Sequence, residues 1–272
     1  MEQITIHQFS ERLGISTDTI RHYRELELIR PLQAENGYYL YRIEDALEIL
    51  YTRELRSNHL SIKSIQTSVY SSITSYLKTL YEKENQLVEQ IELNTLALKR
   101  VREIKAYIAK GVQLFASGET EVFSGQETYT LCPFYNRGFG HGSLAGWTDC
   151  FPFTYVALTI SPSELKTKKG SEIYDIHLGC GALKKYVDRF HLPFDLRKNN
   201  TILHPAGTYI RTCIAVRNLL EITPRDLQPL LLYAEENDIK LIDGIGGRLI
   251  YVERQLEGDL YYIMCWALIE IE

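Results

Sequence analysis

The feature that most limits what this chain can become is a seam running from Leu77 to Ile108. Side chains recur at alternating steps of three and four through Leu77, Leu80, Glu84, Leu87, Ile91, Asn94, Leu98, Val101, Lys105 and Ile108, mostly apolar, with no Gly or Pro between. That spacing puts the whole set on one side of an α-helix. A helix of this length with one apolar stripe needs a partner, either a second copy in a coiled coil or the rear of its own chain. Polar Asn94 within the stripe favours the coiled coil, because a polar seam residue fixes register and partner. The 272 residues also favour two domains over one, and the seam separates them.

Ahead of the seam, Thr5-Ile6-His7-Gln8 has the form of a capping box opening a helix that ends by Leu13-Gly14. Ser16 can cap a second helix running to about Leu28, with Asp18 in its first turn. Two short helices separated by Gly14-Ile15-Ser16 predict a helix-turn-helix. Pro31 and Asn36-Gly37 follow, then the aromatic, strand-like Tyr38–Tyr41, which together predict a β-wing. Helical spacing resumes over Glu44–Arg56 and again after Ser61. In the second helix Thr17, Arg21 and Arg24 share one face, while Ile20 and Tyr23 turn towards the first helix. Arginine suits guanine edges and phosphates alike, so this face is a candidate for the major groove, with a solvated helix face as the bland alternative.

Behind the seam, Gly111–Gly125 is polar with three glycines and is expected to be a linker. Beyond it, Gln126–Cys132, Thr154–Ile160, Ile173–Leu178, Thr208–Val216, Arg248–Glu253 and Leu260–Ile271 have strand composition, with helices over Lys184–His191 and Arg225–Asn237. A strand–helix–strand–strand pattern can be drawn twice. The expected class is α+β: a winged helix-turn-helix over 1–75, a coiled-coil dimerisation helix over 76–110, a linker over 111–125, and an α+β domain of two repeats over 126–272.

Composition narrows the functions. Residues 1–110 carry 15 Lys/Arg and 15 Asp/Glu, and residues 111–272 carry 15 and 20, so bulk charge lends no support to DNA binding and weakly favours cationic ligands at the rear. The five cysteines are scattered, without a C-x-x-C pair, and predict reduced thiols rather than a metal site or disulfides. Met1–Phe9 has no basic stretch followed by an apolar one, and the apolar run Tyr261–Ile269 falls far short of the ~20 residues of a membrane helix. A cytoplasmic protein without a membrane partner, metal or cofactor is expected.

The front of the chain resembles the MerR family of transcription activators. The residues carrying the likeness are Gly14-Ile15-Ser16, Thr19-Ile20-Arg21-His22-Tyr23, Leu28-Ile29-Arg30-Pro31, Glu35-Asn36-Gly37-Tyr38, Tyr41 and Leu60-Ser61-Ile62-Lys63-Ser64-Ile65, in that order. The resemblance implies a homodimer on double-stranded promoter DNA, acting on RNA polymerase by distorting the duplex. It implies DNA contacts from Arg21 and His22, with Thr17, Thr19 and Arg24 on the same helix, and phosphate contacts from Tyr38, Tyr41, Arg42 and Lys63. Three positions depart from the family: Tyr39 where a basic residue is usual, His22 for a tyrosine, and Arg42 for a small capping residue.

The rear resembles the GyrI-like effector domain of multidrug-sensing members, chiefly over Leu203–Ile271. That implies a pocket lined by aromatic residues with a buried acid, suited to a lipophilic cation. Trp147, Phe151, Tyr155, Tyr209 and Trp266 are the aromatic candidates, each equally readable as core. Met264 stands where the family carries its acid, so Asp149 or Glu253 would have to substitute. Two other readings stay open. The rear could be a hydrolase built on His141, His177, His191 or His204 with a nearby cysteine, although no nucleophile motif is present. It could also be a protein-docking module.

Overall fold

A computed structural model describes residues 3–270 apart from 70–71, 137, 141, 198–199 and 257, with backbone alone at 68–69. The chain divides into two compact units, Met1–Asn94 and Thr95–Glu272.

In the front unit α1 (Ile6–Leu13) opens on the expected box: the Gln8 N–H donates to Thr5 Oγ1 at 3.5 Å and the Thr5 N–H to Gln8 Oε1 at 3.1 Å. Ser16 caps α2 (Thr17–Glu25), accepting from the Thr19 N–H at 3.1 Å. β1 (Leu32–Gln33) and β2 (Tyr39–Leu40) pair antiparallel around the Asn36-Gly37 turn, where Gly37 takes φ +84°. α3 (Ile43–Ser57) follows, then α4 (Ile62–Ser64), which runs into a π-helical turn over Ile65–Val69. Phe9, Ile15, Ile20, Tyr23, Leu28, Ile29, Tyr41, Ile49, Leu55, Leu60 and Ile65 form its core. Arg42 cannot accept from a backbone N–H, but Asp45 supplies the other half of a cap, taking the Arg42 N–H at 2.8 Å.

The seam is realised as α5 (Ile73–Ser117), longer than expected at its rear end. The linker expected over 111–125 is instead the end of this helix, a short connection, and β3 (Glu121–Gly125). Gly111 is buried because a Cβ there would fall 2.4 Å from Ile250 Cδ1. Glycine here permits a helix to approach a sheet rather than ending it.

The rear unit holds β4 (Thr128–Tyr135), β5 (Gly138–Phe139), β6 (Thr154–Ile160), α6 (Pro162–Thr167), β7 (Ile176–Leu183), α7 (Lys184–Phe190), β8 (Thr201–His204), β9 (Gly207–Val216), α8 (Gln228–Glu236), β10 (Leu241–Glu253) and β11 (Leu260–Ile269). The strands form one antiparallel sheet in the order β3-β9-β11-β10-β6-β7-β4-β5, with β8 also on β4. The succession β9–α8–β10–β11 has the expected strand–helix–strand–strand order. Between β4 and β6 the described residues form β5 and a 3-10 turn, Thr148–Cys150, and α7 follows the third strand instead. Side chains alternate across the sheet. Ile210, Ile214, Ile263, Cys265 and Ala267 join one core with Leu227 and Leu230 near α8. Tyr209, Cys213, Met264 and Trp266 turn to the opposite face, where they pack with Tyr155 and with Leu114 and Tyr107 of α5.

Candidate functional site

Two surfaces carry chemistry, one in each unit. On α2 the exposed side holds Arg21 and His22, with Thr17, Thr19 and Arg24 half-buried beside them. Arg21 pairs with Asp18 at 2.9 Å. The Arg24 guanidinium lies 4.1 Å from the Tyr39 ring centroid, so the aromatic residue in the place of a basic one holds a neighbouring arginine against the wing. Tyr38 at the wing tip is 74% exposed, and Lys63 at the start of α4 is exposed. Arg42 is half-buried, its Nε 3.7 Å from Asp45.

Tyr41 is a correction. It is 0% exposed and stacks on Phe9, ring centroids 4.8 Å apart, so it is a core residue that presents nothing to a phosphate. Tyr41 follows β2 and bridges to Ile4, which holds it inward, while Tyr38 next to the turn is exposed. The spacing of the wing alone did not distinguish the two.

In the rear unit, α5 and the sheet enclose a cavity of about 320 Å³. Small-ligand sites run from roughly 300 Å³ upwards, so this one suits a compact guest. Tyr155 on β6, Tyr209 on β9 and Trp266 on β11 line it, together with Tyr107 of α5 and Phe123 of β3. Neighbouring glycines make room for two of these rings. Tyr155 pairs across the ladder with Gly181, and Trp266 with Gly246. A Cβ on Gly181 would fall 2.6 Å from the Tyr155 ring, and one on Gly246 2.5 Å from the Trp266 indole nitrogen.

The remaining ligand candidates lie elsewhere. Trp147 is fully buried in a separate cluster with Tyr129, Leu131 and Leu192, its indole N–H donating to Pro193 O at 2.8 Å. Asp149 and Phe151 are exposed around the 3-10 turn. Met264 is buried on the cavity side of the sheet but packs into the core beneath Gly111, and Glu253 accepts from the Tyr262 hydroxyl at 3.0 Å. Neither lines the cavity.

The charge of the lining is the reverse of the expected one. Arg100, Lys185, Arg211 and Arg248 face a single carboxylate, Glu103. Burial works against the Glu103 charge, but donation from Lys185, Arg100 and Tyr186 at 3.1–3.2 Å outweighs it and holds the carboxyl below its usual range. Arg211 is matched by Glu121, with Nη2 at 2.7 Å and Nε at 2.9 Å, and Lys110 shares that carboxylate at 3.0 Å. Burial raises the Tyr155 phenol to about 12 and raises Tyr107 as well, so both are neutral hydroxyls. Burial lowers His204, which lies in the wall 6.1 Å from Trp266 and is therefore a neutral imidazole near pH 7. Bulk acidity of the rear half does not forecast this lining, because folding gathers cations from separate helices and strands. No sequence spacing joins Arg100, Arg211 and Arg248.

The cysteines bear on the hydrolase reading. Cys180 and Cys213 are buried, and burial pushes both thiols up, Cys213 to about 11. A thiol held protonated is a poor nucleophile. His141 lies outside the described residues. Among the described residues no group of three or more His, Cys, Asp or Glu could hold a metal ion, and no helix is long and apolar enough to cross a membrane.

Residues 4–71 match the family described as MerR HTH family regulatory protein, which makes the front of the chain a MerR-type helix-turn-helix domain. No curated protein matches the chain. Among solved structures, it is similar to EcmrR in the cryo-EM structure of the EcmrR-DNA complex in EcmrR-RPo, at 14% identity and a TM-score of 0.37, covering all of both chains. It is also similar to the crystal structure of the EcmrR C-terminal domain, at 11% identity and a TM-score of 0.33, covering 57% of this chain and 98% of that one. Scores of this size do not establish a shared architecture.

Proposed function

We propose that the chain is a dimeric, ligand-responsive transcription regulator that binds promoter DNA through its front unit and a small molecule in its rear cavity. The observation that carries the reading is the MerR-type domain with an exposed polar face on α2, bearing Arg21 and His22. Thr17, Thr19, Arg21, His22 and Arg24 would meet the groove, and Tyr38, Arg42 and Lys63 the phosphates. Dimerisation is supported by the seam of α5, where Leu77, Leu87, Ile91, Leu98 and Val101 are exposed in the single chain. Asn94 would fix their register. The rear cavity, with Tyr155, Tyr209 and Trp266 in its wall, would then bias the dimer between two states through its differential affinity for them. One of those states would distort DNA for RNA polymerase. Catalysis is not proposed.

Selection of bound duplexes from a random pool by the full chain, followed by sedimentation of the complex, tests the reading. A two-fold symmetric consensus bound by two copies is expected. A thermal-shift screen with a broad panel of small aromatic compounds tests the sensor, because a specific guest stabilises by mass action. Binding without sequence preference by a monomer would overturn the regulator. A silent panel would overturn the sensor and leave a protein-docking rear unit as the better account.

A further inference from the structure

We propose that the cavity takes a compact aromatic carboxylate or similar planar oxyanion, and that Arg248 on β10 selects it. The inference rests on the sensor reading above and assigns the chemical class of its guest.

The carboxylate in the wall, Glu103, and the one behind it, Glu121, are both already paired. Glu103 answers Arg100 and Lys185, and Glu121 answers Arg211 and Lys110. A cationic guest would find no uncommitted anion in the wall. Arg248 has the opposite problem. Among the described residues no carboxylate stands within ion-pair distance of it, and its Nε is buried without a hydrogen-bond partner. Arg100 Nη2 is orphaned in the same way. Burial bears against the Arg248 charge and Arg100 adds like-charge repulsion, which together outweigh the support of Tyr107, Tyr155 and the more distant Glu103. A guanidinium keeps its proton under such conditions, so the cost falls on the fold unless an anion arrives.

The surroundings hold Arg248 ready for one. Its guanidinium carbon lies 4.7 Å from the Tyr107 ring centroid and 4.8 Å from that of Tyr155. These contacts partly compensate the buried charge and fix the orientation of the planar fork. They also occupy ring surface that a lipophilic cation would need. A carboxylate supplies acceptors in the geometry of that fork, and charge-assisted pairs of this kind are the stronger hydrogen bonds. The aromatic walls of Tyr209 and Trp266 supply area for a flat apolar body. His204 Nε2, buried and unpartnered, offers one further polar contact. At about 320 Å³ the space admits one or two fused rings.

Isothermal titration of the full-length protein with 2-naphthoate, 2-naphthamide and 2-naphthylmethylamine tests the assignment, since the three differ mainly in charge. Naphthoate is expected to bind at least about tenfold tighter than the amide, and the ammonium weaker than either. In R248L the naphthoate and amide affinities should converge to within about threefold. R248K, which keeps the charge without the fork, should retain a reduced preference and serves if R248L does not fold. Preferential binding of the ammonium, or a naphthoate preference that survives in folded R248L or is undiminished in R248K, overturns the assignment. Binding by the ammonium alone would leave the sensor standing with the opposite guest. Silence from all three probes overturns the assignment, and the sensor falls with it only if the broader thermal-shift panel is silent too.

Discussion

Arg21 in the front unit and Arg248 in the rear unit are the same side chain under opposite conditions. Arg21 stands on an exposed helix face beside Asp18, where water solvates it in the free chain. Arg248 sits among tyrosines, with no carboxylate among the described residues within ion-pair distance, on a strand in the middle of a sheet. The first can trade one set of weak polar contacts for another and still read a duplex. The second is already partly withdrawn from water, so a guest that fits it gains more. The contrast teaches that a surface reader needs its charges placed, whereas a cavity sensor needs its charges left incomplete.

The comparison assumes two units that stand or fall separately, and the largest predicted effect tests this. Ile20 is fully buried on the inner side of α2. Ile20→Ala should cost about 2–5 kcal/mol, as for other buried aliphatic truncations. Both tryptophans, Trp147 and Trp266, lie in the rear unit, so their fluorescence reports that unit alone. In urea, helical circular dichroism should begin to fall earlier in the variant while the tryptophan transition stays in place. Movement of both together would make the chain one cooperative body.

Next in size is Gly246→Val. The new Cβ falls on the Trp266 indole, and overpacking of this kind typically costs about 1–3 kcal/mol. Here the tryptophan transition should move and the front unit should not. Affinity for any cavity guest should fall with it, because the ring must leave its place in the wall. A variant that binds guests normally would remove Trp266 from the site.

How far the sequence discloses each unit follows from the same geometry. The front unit is built from contacts a few residues apart: the Thr5–Gln8 box, the Ser16 cap and the Asn36-Gly37 turn all lie within four positions. Local spacing therefore predicts them, and fails only for Tyr41, whose fate depends on Phe9 across the unit. In the rear unit most long strands are legible from β-branched and aromatic runs, but β3, β8 and α6 are not, and neither is the site. Arg100, Arg211 and Arg248 come from α5, β9 and β10, and only the sheet order and the packing of α5 on the sheet bring them to one cavity. Trp147 shows the converse, an aromatic residue with ligand-box composition that packing consumes.

A smaller effect distinguishes the units by pH. Burial holds the His204 imidazole below its ordinary 6.5 in the folded chain. As pH falls through 6.5 the unfolded chain takes up this proton first, so stability present above that value is lost towards acid. One such proton contributes a slope of up to about 1.4 kcal/mol per pH unit. Tryptophan-detected urea midpoints should therefore decline from pH 7 to pH 5.5, and His204→Gln should flatten that decline. Glu103 and Glu121 are held low, so their contributions disappear only at more acid pH and do not overlap this window. A slope unchanged in the variant would place the titrating group elsewhere.

Asp18→Asn should have the smallest effect on the fold and the most telling effect on the front unit. The Asp18–Arg21 pair is exposed, with side chains 86% and 48% accessible, and such pairs contribute about 0–1 kcal/mol. Asp18 also sits in the first turn of α2, where a carboxylate gains a few tenths more, so stability should drop by less than about 1 kcal/mol. Towards DNA the same carboxylate repels phosphates and occupies Arg21. Removing it should raise affinity severalfold at low salt, and the gain should shrink as salt screens the repulsion. Fluorescence anisotropy across a salt series measures both. Weaker binding by the variant would mean that Asp18 holds Arg21 in its reading position, and the front unit would then depend on a positioned pair much as the cavity does.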